Sequence, residues 1–147
     1  MIAGKPPVDN LHHARLNAPA MLPFDASVTV AQMMLDVAHL ARDKGEPYRR
    51  ERHIGPALEL MYVMMTVLVA TRDGKPIHAS EIARRLDMPR TNVRRHLGTL
   101  VASGRLAVIG QSYAPTDYVN KDPAMQAVLR ETVQIIVKAA QNLSGFL

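Results

Sequence analysis

Apolar positions recur with a helical period over most of this chain, interrupted by one β-prone interval after residue 105. Val30, Met33, Met34, Val37, Leu40 and Ala41 return to one side of a helix because they are spaced by threes and fours. This helix is predicted to start near Asp25 or Ser27 as N-cap and to run to about Lys44, where Gly45 and Pro47 stop it. A second helix starts around Pro56, a residue suited to a first helical position, and ends before Asp73-Gly74. Between Leu60 and Ala70 it is apolar on every side except at Tyr62 and Thr66. That pattern predicts a central helix covered on all faces.

Beyond the Asp73-Gly74 turn, Ile77 can form a short strand and a helix follows from about His78 to Leu86. Asp87-Met88-Pro89 breaks the chain, and Pro89 can open a new helix, predicted to reach Ser103 with Gly104 as its stop. A short helix, a tight turn and a longer helix result. Leu106 to Ile109 and Tyr113 to Val119 are β-prone and separated by Gly110-Gln111-Ser112, which predicts a hairpin. Asp122 then caps, and Pro123 opens, a long helix to about Leu143. Residues 1–24 carry Pro6, Pro7, Pro19 and Pro23 without an apolar period and are expected to be a flexible arm. The fold expected for residues 25–147 is a single, mainly α domain with a small β-hairpin. Its central unit is 54–120, with further helices at 25–45 and 122–144.

Composition narrows the function. Of the 147 residues, 48% are apolar but only 4% aromatic, so Leu, Val, Ile, Ala and Met must build a largely helical core. A net charge of +5 and a pI near 9.9 favour an anionic partner. The chain has no cysteine, which excludes disulfides, thiolate metal sites and cysteine nucleophiles. No basic and apolar leader opens the sequence, and Leu60 to Ala70 falls well short of the ~20 apolar residues of a membrane span. A cytoplasmic protein without membrane attachment is expected.

The helix after Pro89 carries the candidate chemistry. Val93, Leu97, Leu100 and Val101 share one side, which must pack inward. The opposite side presents Thr91, Asn92, Arg95 and Thr99, flanked by Gly98 and Arg94. Arg can pair with guanine, Asn with adenine, and Thr with phosphate or the thymine methyl, so this face suits a DNA major groove. Gly98 permits close approach. On the preceding helix Ile82, Ala83 and Leu86 face inward, while Arg84 and Arg85 lie where a phosphate backbone would pass.

The run IHASEIARRLDMPRTNVRRHLGTLVASGRLAVIG, residues 77–110, resembles the winged helix-turn-helix of bacterial regulators such as the MarR and IclR families. The resemblance implies transcription regulation by duplex-DNA binding, with 89–103 as recognition helix. Arg90, Thr91, Asn92, Arg94 and Arg95 then stand at positions that meet DNA, and Gln111 and Ser112 at the wing tip. The flanking helices resemble the MarR arrangement, in which terminal helices of two subunits intertwine into a homodimer. The wing departs from the MarR pattern in being short and lacking an arginine-containing tip.

Other features have plainer explanations. Arg49, Arg50 and Arg52 suit a solvated loop better than a phosphate site. Met33, Met34, Met61, Met64 and Met65 could line a pocket for a small apolar effector, although core filling accounts for them more simply. The six histidines show no metal spacing. Neither a nucleophile with its base nor a phosphate loop stands out, so no enzyme activity and no cofactor are expected. In the last helix Met125, Val128, Leu129, Val133, Ile136, Val137, Ala140 and Leu143 form a broad apolar stripe. It must be covered, either by the first two helices or by the same helix of a second copy. A two-fold dimer would explain its length and match a palindromic operator. The competing reading of the whole chain is a winged-helix module that docks its basic helix on an acidic protein and binds no DNA.

Overall fold

The computed structural model describes residues 20–147, so the predicted N-terminal arm lies outside the described residues as far as Pro19. Helix α1 spans Phe24–Lys44 and follows Pro23, earlier than the predicted cap at Asp25 or Ser27 and without a side-chain cap. It ends at Gly45, whose N–H bonds the carbonyl of Ala41 at 2.8 Å. A Cβ at Gly45 would lie 2.4 Å from that oxygen, so only glycine lets the chain turn here. A 3-10 turn, Tyr48–Arg50, leads to α2, Ile54–Ala70. Pro56 falls in the first turn of α2, where its missing N–H costs no helical bond.

Strand β1 is Ile77–His78, followed by α3, Ala79–Leu86, and α4, Arg90–Ala102. Strands β2, Leu106–Ile109, and β3, Ser112–Pro115, form the hairpin. All pairing is antiparallel in the order β1-β3-β2, with Ile77 opposite Tyr113 and Val108 opposite the same Tyr113 on the other side. The loop is the two residues Gly110-Gln111, with Gly110 at φ 64°, the arrangement of a type II′ turn. Ser112, predicted at the wing tip, is instead a strand residue opposite Ile109 and His78.

The second β run stops at Pro115 rather than Val119. The Thr116 hydroxyl donates to the carbonyl of Gly104 at 2.6 Å, and the Arg105 guanidinium stacks 4.4 Å over the Tyr118 ring. Those contacts draw the chain into α5, Tyr118–Lys121, a helical turn that periodicity did not indicate. Burial pushes the Tyr118 phenol pKa up, and that of the neighbouring Tyr48 further still. Helix α6 spans Pro123–Ser144, and the Asp122 carboxylate accepts from the N–H of Ala124 at 2.9 Å, as its cap position predicts.

Leu60, Val63 and Val67 of α2 meet Ile82 of α3, Val93, Leu97 and Leu100 of α4, Ile77 and Leu106 in one core. Helix α2 is central but not covered on all faces as expected. Tyr62, Met65, Leu68 and Val69 form an exposed side, with Val69 at 74%. The α3, α4 and sheet layer covers one side of this largely apolar helix, and the remaining side stays exposed among the described residues.

Outside this core α1 and α6 pair antiparallel. Leu22 and Ala26 line the same groove as Leu143, while Lys44 at the other end meets Glu131 at 3.2 Å. Ala26, Val128 and Ala139 are buried between them. The α6 stripe is thus covered in part by α1, yet Leu129, Val133, Ile136 and Val137 stay exposed, as do Val28, Met34 and Leu35 of α1.

Candidate nucleic-acid interface

Helices α3 and α4 are held at a fixed turn by local backbone chemistry. Asp87 follows α3 at φ 51°, a left-handed conformation that Asp tolerates better than most residues. The N–H of Met88 bonds the carbonyl of Ala83 at 3.0 Å and that of Asp87 the carbonyl of Arg84 at 3.4 Å, closing the helix end. Pro89 then takes the N-cap position with extended ψ of 137°, so the helix starts at Arg90, one residue after the predicted opening at Pro89, whose ring blocks continuation from α3. At the far end Gly104, at φ 77°, lets Arg105 N–H reach Leu100 O at 2.9 Å.

On α4 the predicted division of faces holds. Val93, Leu97 and Leu100 are fully buried. Arg90, Thr91, Arg94, Arg95 and Gly98 are exposed, with Asn92 and Thr99 half-buried beside them. The Thr99 hydroxyl donates to its own helix at Arg95 O, 3.3 Å away. Among the described residues no carboxylate lies within ion-pair distance of Arg90, Arg94 or Arg95. Gln111 is exposed at the wing tip and Ser112 half-buried in β3.

Gly98 has no packing reason among the described residues: a Cβ there would meet nothing within 4 Å. A mid-helix glycine costs about 0.5–1 kcal/mol relative to alanine. Its position on the exposed face is therefore informative about what approaches that face.

Two other groups shape the site. His96 is only 2% exposed on the inner side of α4, and its Nε2 lies 2.8 Å from Oε2 of Glu59 on α2. This contact links the candidate recognition helix to the central helix and settles the polar ring of a buried histidine. The wheel that placed Val93 and Leu100 inward also places position 96 there, but its partner is 37 residues away and carries no local signal. On α3, Arg84 and Arg85 are exposed as predicted, but neither is free. Both donate to Glu81, which is held down at about pKa 2 by its hydrogen bonds from Arg84 and then Arg85.

The linker arginines Arg49 and Arg50 pair with Glu46. The five methionines do not gather around one cavity: Met61 and Met64 are buried in or beside the core, and Met34 and Met65 are exposed.

Two short helices joined by a tight turn, one with a polar outer face, and a hairpin closed by a third strand make this a winged helix-turn-helix protein with added N- and C-terminal helices. Residues 64–108 match the family described as a helix-turn-helix domain, a stretch running from the second half of α2 through α3 and α4 into β2. That match supports DNA binding and transcription regulation as the class of activity. No curated protein matches the chain. Among the described residues no helix is long and apolar enough to cross a membrane.

Proposed function

We propose that the protein is a homodimeric transcriptional regulator that binds duplex DNA sequence-specifically, with α4 in the major groove. The observation that carries this reading is the outer face of α4: Arg90, Arg94 and Arg95 without a carboxylate partner among the described residues, with Thr91, Asn92 and Gly98 beside them. Arg94 and Arg95 offer donors for guanine edges or phosphates, and Asn92 the donor and acceptor pair that fits adenine. Arg84 and Arg85 follow the backbone from α3. The wing, 106–115, has no charged residue, so Gln111 at its tip contributes hydrogen bonding rather than charge neutralisation.

Retention of duplex DNA in a gel shift, weakening steeply as salt rises from about 50 to 200 mM, tests the reading. Loss of all retention at the low-salt end would leave the basic face to an acidic protein partner instead.

Gly98 gives a sharper outcome because stability and binding should move in opposite directions. Gly98→Ala is expected to raise stability by about 0.5–1 kcal/mol, since the methyl meets nothing among the described residues. It should also weaken DNA binding by pushing the groove edge away. A variant that is more stable and binds equally well would show that nothing approaches this face closely.

The dimer rests on the exposed apolar surface. Leu129, Val133, Ile136 and Val137 on α6 and Val28, Met34 and Leu35 on α1 are all exposed although apolar, the kind of surface that marks an interaction site. Its resemblance to the MarR arrangement and the symmetry of palindromic operators both favour a second copy there. Ile136→Glu places a charge in that surface and is expected to yield monomers in sedimentation analysis, with circular dichroism unchanged. A variant that sediments as the unaltered protein does would remove α6 from the interface.

A further inference from the structure

The two arginines of α3 are occupied by a carboxylate whose geometry imitates a phosphate. Oε2 of Glu81 accepts from Arg84 Nε at 3.0 Å, while Oε1 accepts from Arg84 Nη2 at 2.6 Å and from Arg85 Nε at 3.0 Å. The first pair of bonds is the two-pronged contact that a guanidinium makes equally to a carboxylate or to a phosphate. Glu81 also lines an open concavity of about 440 Å³ between α3 and the start of α4, together with Ser80, Arg84 and Arg90. The carboxylate therefore sits among the cations that would follow a DNA backbone. Spacings of three and four residues along one helix hold it there.

We propose that Glu81 is an affinity-setting residue, an internal stand-in for phosphate that clasps Arg84 and Arg85 until the DNA backbone displaces it. This rests on the DNA-binding reading above. The clasp is exposed, with 71% of the Arg84 side chain and 45% of the Arg85 side chain in solvent, so it is weak enough to be exchanged. Once exchanged, the negative charge of Glu81 remains beside the phosphates and offsets one of the nearby cations, Arg84 and Arg90 lining the concavity and Arg85 paired to Glu81 on α3. By contrast Arg94 and Arg95 on the groove-facing helix have no such restraint among the described residues. Glu81 therefore weakens the part of binding that ignores sequence while leaving base recognition untouched. The consequence is selectivity: a regulator held less tightly by any duplex discriminates better in favour of its operator.

The test is a salt titration of the full chain on a mixed-sequence duplex. Glu81→Gln and Glu81→Ala are expected to bind about three- to tenfold tighter at about 100 mM salt, with a log–log salt slope steeper by about one. The same substitutions placed in an Arg84→Ala/Arg85→Ala background should gain distinctly less, because no arginine is left to release. Circular dichroism confirms that each variant is folded. Equal gains in both backgrounds would mean that Glu81 acts by general repulsion, and the clasp is then wrong. Unchanged or weaker binding of both Glu81 variants, with the unsubstituted protein still binding, overturns the clasp alone. Absence of DNA binding by the unsubstituted protein overturns the DNA-binding reading and the clasp together.

Discussion

Replacing Arg94 and Arg95 together by alanine is expected to cost about 2 kcal/mol or more of DNA-binding free energy, at least a thirty-fold loss of affinity. The reason is that both side chains stand exposed on α4 and neither is engaged by a carboxylate among the described residues. Among the described residues neither side chain pairs with a carboxylate, so thermal unfolding should move little, as for surface substitutions generally. If both contact phosphates, the salt slope should also flatten by about two. Should one of them pair with guanine, the loss should be larger on the operator than on mixed-sequence DNA. A gel shift at several salt concentrations reads all three quantities. Unaltered binding by a folded double variant would remove α4 from the groove.

The second large effect is on stability. Leu97 is fully buried on the opposite side of the same helix, within the cluster that joins α2, α3, α4 and β2. Leu97→Ala removes three heavy atoms and leaves a cavity that helices and sheet cannot close without moving. It is expected to destabilise the protein by about 2–5 kcal/mol. For a domain of this size that lowers Tm by roughly 5–15 °C. The melt should be compared at equal protein concentration, because dimerisation makes Tm concentration-dependent. A shift of about 2 °C or less would show that α4 is not packed through this residue. Together the two substitutions separate the faces of one helix: one removes binding and spares folding, the other does the reverse.

Much of the helix-turn-helix was legible because its signals are local. Val93, Leu97 and Leu100 fix the inward side of α4 by spacing alone, and the outward Arg94, Arg95 and Gly98 follow from it. Pro89 and Gly104 bound the helix to within a residue, since one cannot continue a helix and the other closes it at positive φ. The clasp of Glu81 was also within reach, as a carboxylate three and four residues before two arginines pairs with both on any helix. Errors fell where a distant contact overrode a local tendency. Tyr113 to Val119 reads as one β run, yet the chain leaves the sheet at Pro115, a strand-disfavouring residue, where Arg105 and Gly104 hold Tyr118 and Thr116.

The stretch from Ile77 to Pro115 was thus settled by the sequence in its order of elements and in the side chains it turns outward, because helix periodicity and the backbone limits of proline and glycine act over a few residues. Only the tertiary structure paired Ile77 with Tyr113, brought Glu59 to the buried ring of His96, and left one side of α2 open. These depend on which surfaces meet after the chain folds back. An apolar period states that a side chain seeks cover but is silent on what supplies it.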